Sequence, residues 1–130
     1  MKAYVIDTHA LYWYLAASPL LSARAKAAMD AAAAGKARLY VSAIVLAELF
    51  YLNAKHKGDL DVPGLVAELK SASQVSLVPL RAEDVAEFDL DADVPEMHDR
   101  IVTGLARRMK AGLITVARKI AECGNVEIVW

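Results

Sequence analysis

Asp7 ends the apolar run "AYVI" at residues 3–6 and is followed at once by Thr8 and His9. Such a short apolar run is typical of a buried β-strand, and a carboxylate at its end can have either of two roles. It can cap a helix that starts at Thr8 or His9. It can also lie at the edge of a parallel sheet where functional groups collect, and position alone does not decide between these roles.

Glu48 is the only charged residue from Ala43 to Leu52, within the apolar segment "SAIVLAELFYLNAK". A helix that is apolar all round is packed on most sides, and an ionised carboxylate there is costly unless it is hydrogen-bonded, paired or bound to metal. A solvent-facing Glu48 on one polar stripe is the simpler alternative. Because Ile44 and Tyr51 make that stripe apolar too, we expect Glu48 to face inward beside a partner.

Asp99 lies in or just before the first turn of a helix that begins near "PEMHDRIV". An acidic residue at a helix start is often structural, because capping and the helix dipole both favour it there. Its spacing nevertheless matches that of Val102, Ala106 and Met109, which places it on the apolar stripe of the helix. Asp99 is therefore a third candidate for an inward-facing carboxylate.

Like charges gathered in one pocket repel one another, and a hard divalent cation with oxygen ligands and retained water relieves the repulsion. Asp7, Glu48 and Asp99 therefore predict Mg²⁺ or Mn²⁺ rather than Zn²⁺. His9 and His98 have no His or Cys neighbours at zinc spacing, and we interpret them as helix-start residues or supports for the ligands. The acidic run "DLDAD" at residues 89–93 lacks the Gly and Glu of a calcium loop and is interpreted as a solvated loop.

The chain has no overall positive field, because its formal net charge is −1 over 130 residues. A polyanion would need a local patch of basic side chains. Residues 100–121 contain basic but no acidic side chains, which is compatible with a solvated helix face. Beside a metal site, the same charges also suit a phosphate backbone. The predicted phosphate contacts are Arg100, Arg107, Arg108, Lys110 and Arg118.

Short runs rich in β-branched residues alternate with longer segments of helical spacing, which predicts an α/β sandwich with a parallel sheet covered by crossover helices. The predicted strands are "AYVI", "RLYVS", "VSLVPL", "GLITV" and "VEIVW". The predicted helices cover about residues 10–16, 22–34, 42–56, 63–72, 82–88 and 98–111. The length suits a single domain over residues 1–130.

Composition limits the setting of the protein. An apolar content of 57% and a mean hydropathy of +0.31 are high for a small chain and predict that some apolar surface meets another protein. The single cysteine, Cys123, excludes an intramolecular disulfide and suits a reducing compartment. Without a signal-peptide pattern or an apolar run of about 20 residues, we expect a cytoplasmic protein that does not enter a membrane.

In chain order, the segments "VIDTHALYWYL", "VSAIVLAEL", "MHDRIV", "LITVARKI" and "EIVW" resemble the motifs of the PIN-domain ribonucleases, and most closely the VapC-type toxins of bacterial toxin-antitoxin pairs. The resemblance covers essentially the whole chain. It implies a three-layer α/β/α sandwich with a central parallel five-stranded sheet, and a Mg²⁺- or Mn²⁺-dependent endoribonuclease. It further implies RNA as the polyanion, a homodimer, and inhibition by a small antitoxin protein whose tail covers the site.

The resemblance also assigns roles to particular residues. Asp7, Glu48 and Asp99 match the metal-binding acids of the family. Thr8 and Ser42 match its accessory hydroxyl positions.

Ala117 departs from the family pattern. After "LIT", which ends at the site residue Thr115, the family usually has one residue and then a fourth acid, and alanine can coordinate neither metal nor water. Natural divergence and an engineered substitution would both explain the change. Two functions therefore stay open: an endoribonuclease that is weakened or inactive in this chain, and a non-catalytic PIN-like module that binds RNA or an antitoxin.

Overall fold

Five parallel strands form the centre of the protein in the computed structural model, which describes residues 1–123 and 125–130. The strand order in the sheet is β3-β2-β1-β4-β5. The strands are β1 (Lys2–Ile6), β2 (Ala37–Ser42), β3 (Val75–Val78), β4 (Gly112–Ile114) and β5 (Ile128–Val129).

Helices connect successive strands, and right-handed crossovers place them on both faces of the sheet. The helices before β3 cover one face and those after β3 cover the other, because the chain changes direction across the sheet at that point. This arrangement confirms the predicted three-layer α/β/α sandwich with a five-stranded parallel sheet. The described helices are α1 (Thr8–Leu15), α2 (Ala23–Ala33), α3 (Ala43–Lys55), α4 (Val62–Ser71), α5 (Ala82–Ala86), a 3-10 helix (Phe88–Asp91), α6 (Met97–Met109) and α7 (Arg118–Cys123).

The switch in strand order lies between β1 and β4. From β1 the chain moves to β2 and β3 on one side, and then returns to β4 and β5 on the other. The connections that leave β1 and β4 therefore diverge, which opens a crevice at the carboxyl ends of these two strands. Pairing of Ile6 with Ile114 continues one step further, because the backbone N–H of Asp7 donates to the carbonyl oxygen of Ile114 over 3.0 Å.

The core lies around β1 and β4, where Val5, Ile6, Leu113 and Ile114 are fully buried. Strands that are covered on both faces read as continuous apolar runs, which is why these segments show no alternation of polar and apolar residues. The buried core thus fixes the two strand ends from which Asp7 and Thr115 follow.

The structure corrects several boundaries of the predicted elements. Strand β4 ends at Ile114, so Thr115 and Val116 of "GLITV" lie outside it. Strand β3 ends at Val78, and the sheet pairing stops before Pro79, which has no N–H to donate. Helix α7 was not predicted, because it is only six residues long and Ile120 is its only buried side chain.

The acidic run at residues 89–93 is not the solvated loop that its composition predicted. Asp91 ends the 3-10 helix and is only 2% exposed. A buried carboxylate requires a partner of opposite charge, and the guanidinium of Arg107 supplies it at 3.1 Å.

None of the helices described for this chain combines the length and the apolar character that crossing a lipid bilayer would require.

Candidate active site

Asp7 has both of the roles that its position allowed. Its backbone is extended, and Oδ1 accepts a hydrogen bond of 2.8 Å from the N–H of Thr8, so Asp7 caps α1. Its second oxygen, Oδ2, accepts a hydrogen bond of 2.6 Å from the hydroxyl of Thr115. The cap and the sheet edge coincide because β1 passes directly into α1 at the topological switch point.

Glu48 lies on α3 and has the partner that the sequence predicted. Its Oε1 accepts a hydrogen bond of 2.8 Å from the hydroxyl of Thr8, which is buried. Its Oε2 lies 3.8 Å from Nδ1 of His98, at the start of α6. Thr8 thus links the two acids, because its N–H binds Asp7 and its hydroxyl binds Glu48.

The prediction that α3 is packed on most sides is wrong for the chain as described. Only Val45 and Leu49 are buried on this helix, whereas Phe50 is 53% and Tyr51 73% exposed. The Glu48 side chain itself retains about a third of its exposure. The apolar residues of α3 therefore cover the sheet on one side and remain open on the other.

Asp99 is in the first turn of α6, and Glu96 is the cap of that helix. One oxygen of Glu96 accepts a 2.8 Å hydrogen bond from the N–H of Asp99, and the other lies 2.6 Å from Nδ1 of His98. The sequence analysis missed Glu96. Its signal was an acidic residue directly after Pro95 and three residues before Asp99, although Glu is not a common capping residue.

The apolar stripe predicted to begin at Asp99 holds for the first part of α6. Val102 and Ala106 are buried, but Met109 at the end of the helix is 36% exposed. Asp99 itself is half-buried.

The Asp99 carboxyl shows that the three acids affect one another. Burial, together with the nearby charges of Asp7, Glu96 and Glu48, raises the pKa of Asp99 to about 6. His98 opposes this rise in the pKa of Asp99 and has a raised pKa of its own, chiefly because of its hydrogen bond to Glu96. Among the described residues, no Lys or Arg forms an ion pair with any of the three acids. The crevice therefore concentrates negative charge, which His98 offsets only in part.

Among the described residues, no three Asp, Glu, His or Cys side chains lie close enough together to hold a metal ion directly. The donors are nevertheless of the oxygen type that Mg²⁺ and Mn²⁺ prefer. Joint metal binding by Asp7, Glu48 and Asp99 remains a prediction.

Comparison of the whole sequence with protein families gives one decisive match. The PIN domain family profile matches residues 4–124. The chain belongs to the PIN domain family. A comparison with curated protein sequences finds no match.

Solved structures share the fold of this PIN domain at low sequence identity. One is VapBC2 from Rickettsia felis, in a structure bound to a DNA fragment from the VapBC2 promoter. It is 16% identical to this chain, the TM-score is 0.63, and the match covers 98% of this chain and 97% of that one. FitAcB from Neisseria gonorrhoeae is 17% identical with a TM-score of 0.65, covering 98% and 96%. VapBC-1 from nontypeable Haemophilus influenzae is 16% identical with a TM-score of 0.60, again covering 98% and 96%.

Ser42 and Ala117 lie at the starts of two helices of the PIN domain. Ser42 is buried and caps α3, because its hydroxyl oxygen accepts a 3.3 Å hydrogen bond from the N–H of Ile44. The N–H of Ala117 donates to the hydroxyl oxygen of Thr115 over 3.0 Å, and its carbonyl oxygen accepts from the N–H of Ala121 over 3.3 Å. Ala117 thus directly precedes α7, next to the pair formed by Thr115 and Asp7.

Several of the predicted phosphate contacts are engaged within the PIN domain itself. Arg107 binds buried Asp91, and Arg108 lies 3.6 Å from buried Asp84. Arg100 donates to the carbonyl oxygens of Val94 and Ala92. Lys110 and Arg118 are exposed. The RNA contacts remain predictions, and Arg107 and Arg108 have less free charge for them than the sequence suggested.

A groove of about 490 Å³ opens beside the acids. Its lining includes Thr8, His9, Glu48 and His98 from the site, and Tyr51 and Lys55 further along α3. The groove gives a ligand bound at the acids space to extend along α3.

Proposed function

We propose that this PIN domain is a metal-dependent endoribonuclease and the toxin component of a VapBC-like toxin-antitoxin pair. The observation that carries the proposal is the convergence of Asp7, Glu48 and Asp99, from three elements, at the carboxyl edge of the sheet. Burial and the nearby acidic charges raise the pKa of Asp99 to about 6, and His98 offsets only part of that rise. A structural role alone does not call for three acids in one crevice.

The proposed cofactor is Mg²⁺ or Mn²⁺, held by Asp7, Glu48 and Asp99. The cation would supply activation of the attacking water and stabilisation of the leaving oxygen. Mg²⁺ would not need all three acids in direct contact, because this ion is usually bound through one or two carboxylates and keeps several of its waters. At neutral pH the Asp99 carboxyl is available as a ligand, since its pKa of about 6 lies below 7.

The residues around the acids hold them in orientation. The N–H of Thr8 and the hydroxyl of Thr115 each donate to a different oxygen of Asp7, which fixes the plane of its carboxylate. The Thr8 hydroxyl holds one oxygen of Glu48 and leaves the other toward His98. Hydrogen bonds of this kind favour the ionised form of a carboxylate and preorganise it for a cation.

The proposed protein partners are an antitoxin and a second copy of the chain. The paired names of the VapBC and FitAB structures, two of which contain promoter or other DNA fragments, support a partner protein by analogy of fold. For the homodimer, the support is the exposed pair Phe50 and Tyr51 on α3, whose rings meet edge to face at 5.5 Å. Phe50→Ser with Tyr51→Ser should shift the protein to monomer in sedimentation, and an unchanged mass would exclude this surface.

The nuclease proposal is tested by cleavage of a mixed pool of single-stranded RNA with Mg²⁺ or Mn²⁺. Cleavage should stop in EDTA and fall by at least about 10²-fold in Asp7→Asn, which serves as the control for contaminating nuclease. Cleavage that is equal in the two proteins would assign the activity to a contaminant.

Metal binding is tested separately, because it does not require turnover. Mn²⁺ at about 100 times its dissociation constant should add roughly 2.7 kcal/mol to the free energy of unfolding, seen as a rise in melting temperature. Glu48→Gln retains the shape of the side chain but loses its charge, so the rise should shrink. An identical rise in both proteins would locate the cation elsewhere.

A non-catalytic binding module is the second candidate, and Ala117 is the observation that favours it. If Mn²⁺ stabilises the protein and RNA binds, but no RNA class is cleaved, the chain acts by binding. The three remaining acids favour the nuclease, because a pure binding module gains nothing from charges that repel RNA.

A further inference from the structure

Both tryptophans of the chain lie in one aromatic cluster with His9. The ring centroids of His9 and Trp13 are 5.7 Å apart, and those of Trp13 and Trp130 are 5.9 Å apart. The three rings therefore form a continuous row, which we term the aromatic ladder. His9 and Trp13 share one face of α1 because they are four residues apart.

Both ends of the aromatic ladder are tied to the candidate site. His9 follows Asp7 by two residues and lines the groove that also contains Glu48. At the other end, Trp130 directly follows Val129, which pairs with Ile114, the residue before Thr115. Thr115 is the residue that donates to Asp7. The aromatic ladder thus begins two residues after Asp7 and ends on the strand beside the one that leads into Thr115.

Core packing does not account for the whole aromatic ladder. His9 is exposed and Trp13 is only partly buried, and Trp13 does not belong to the side chains that pack against the buried core. Only Trp130 does. The rings are tilted by 59° and 52° rather than stacked face to face, so they do not cover one another's π-faces. Ring surface therefore remains for another planar group.

Basic charge lies in the connection that leads from Thr115 to the strand before Trp130. Arg118 and Lys119 begin α7 in this connection from β4 to β5, and both are exposed. Within residues 1–123 and 125–130, neither takes part in an ion pair, in contrast to Arg107 and Arg108. Aromatic rings with open faces, combined with basic side chains, bind single-stranded nucleic acid, because the rings stack bases and the cations meet phosphates.

We propose that the aromatic ladder of His9, Trp13 and Trp130 stacks the bases of a single-stranded RNA beside the acids, while Arg118 and Lys119 meet its backbone. This inference rests on the proposed function, since it names the form of RNA that the site accepts. Duplex RNA is excluded as a ligand of the ladder because its bases are already stacked on one another.

The test uses the two tryptophans as reporters, in EDTA so that RNA is bound but not cut. A single-stranded RNA of about 12 nucleotides should quench the tryptophan fluorescence, whereas the same RNA annealed to its complement should not. Trp130→Phe retains Trp13 as the only reporter and should still be quenched. Labelled RNA gives the affinity of each variant by anisotropy.

Trp13→Leu should weaken single-stranded RNA binding by about 10-fold, and Trp13→Phe by less, because phenylalanine keeps an aromatic face. The matched control is Tyr14→Leu, which removes an aromatic ring from the same helix at a residue whose hydroxyl binds Asp30 instead. It should leave RNA affinity unchanged even if it lowers the melting temperature. Equal losses in Trp13→Leu and Tyr14→Leu would show a general effect of destabilisation.

Three results with RNA would overturn the inference: no binding, unchanged fluorescence at saturating RNA, or equal quenching by the duplex. A fourth is fluorescence that depends on protein concentration alone, because the tryptophans would then report contact with another copy of the protein. Failure of the proposed function looks different, because quenching would persist while no RNA is cleaved in Mg²⁺ or Mn²⁺. Conversely, if Trp13→Leu cleaves RNA at the normal rate, the nuclease proposal stands and the aromatic ladder has no part in RNA binding.

Discussion

Thr115 donates its hydroxyl hydrogen to Oδ2 of Asp7 over 2.6 Å, although 108 positions separate the two residues in the sequence. The same hydroxyl oxygen accepts a hydrogen bond of 3.0 Å from the N–H of Ala117, so Thr115 links Asp7 to the start of α7. The pair joins the ends of β1 and β4 at the point where the sheet changes its strand order.

Thr115→Val should destabilise the protein by about 1–3 kcal/mol, because valine has a similar shape but leaves Asp7 and the N–H of Ala117 without their partner. Chemical denaturation measures the loss. Thr115→Ser retains the hydroxyl and should restore most of it. If Thr115→Val is as stable as the parent, the hydroxyl contributes nothing to the stability of the fold.

Asp99 should make the metal-free protein less stable as the pH rises. Its pKa is about 6 in the folded protein against 3.8 in the unfolded chain, so the folded state binds the proton more tightly. The protonated carboxyl therefore carries no penalty below about pH 4, and the penalty grows as the pH rises through 6. Asp99→Asn removes the ionisation, which burial and then the nearby acidic charges penalise. It should gain on the order of 1 kcal/mol at pH 7, since water weakens both effects at this half-buried site.

The measurement is urea denaturation of both proteins at pH 4 and pH 7 in EDTA. The gain of Asp99→Asn should vanish at pH 4. Saturating Mn²⁺ should reverse the order at pH 7, because the cation then has one carboxylate fewer. A gain that is the same at both pH values would mean that Asn packs better, and would exclude repulsion as its cause.

The fold was predictable from sequence because its strongest signals are local. Residues 3–6 and 112–114 read as apolar runs, and buried parallel strands have that pattern. Asp7 and Thr8 could be placed at the sheet edge for the same reason. The ends of β4 and β5 could not, because Thr115 leaves the sheet to bind Asp7, and no local pattern contains a bond between residues so far apart.

The missed features depend on tertiary pairing. From the sequence, Asp91 is interpreted as a solvated acid, because no local pattern shows that Arg107, 16 residues later, binds it. Glu96 reads as a surface acid until its oxygens are seen to meet His98 and the N–H of Asp99. A sequence does not distinguish charged residues that are buried in pairs from those that are free in water. The prediction from residues 100–121 therefore overestimated the free positive charge.

Arg107 should act on stability rather than on RNA binding. Arg107→Met should cost about 3 kcal/mol, because it leaves the Asp91 carboxylate buried without its closest counter-ion. The matched control is Arg118→Met, which removes an exposed charge that forms no ion pair with the described residues, and it should change stability by no more than about 0.5 kcal/mol.

The two arginine variants should differ in RNA affinity as well, but here Arg118→Met should show the larger effect. Arg118→Met should weaken binding and flatten its salt dependence, whereas the folded fraction of Arg107→Met should bind as the parent does. Weaker binding by Arg107→Met without a loss of stability would restore Arg107 as an RNA contact, as the sequence first predicted.

Ala117 occupies the N-cap position of α7, because its carbonyl oxygen accepts the first hydrogen bond of the helix, from Ala121. Alanine is a poor residue there, and both Asp and Asn would cap the helix better. Ala117→Asn should add about 0.5 kcal/mol, at the low end for caps because α7 is short, and Ala117→Asp gains the same cap together with a charge. The two variants differ only in charge, which makes Asn the control for the cap.

Activity and metal binding should follow the charge. In EDTA, Ala117→Asp should be less stable than Ala117→Asn, because the new carboxylate adjoins the Thr115 that holds Asp7. In Mn²⁺ the order should reverse, and Ala117→Asp should cleave RNA about 10²-fold faster than the parent, with the gain abolished by Asp7→Asn. If Asn and Asp variants are equally active, the effect comes from capping, and position 117 has no part in the chemistry. If neither cleaves any RNA class, the fourth acid is not what this chain lacks, and the binding module becomes the better account.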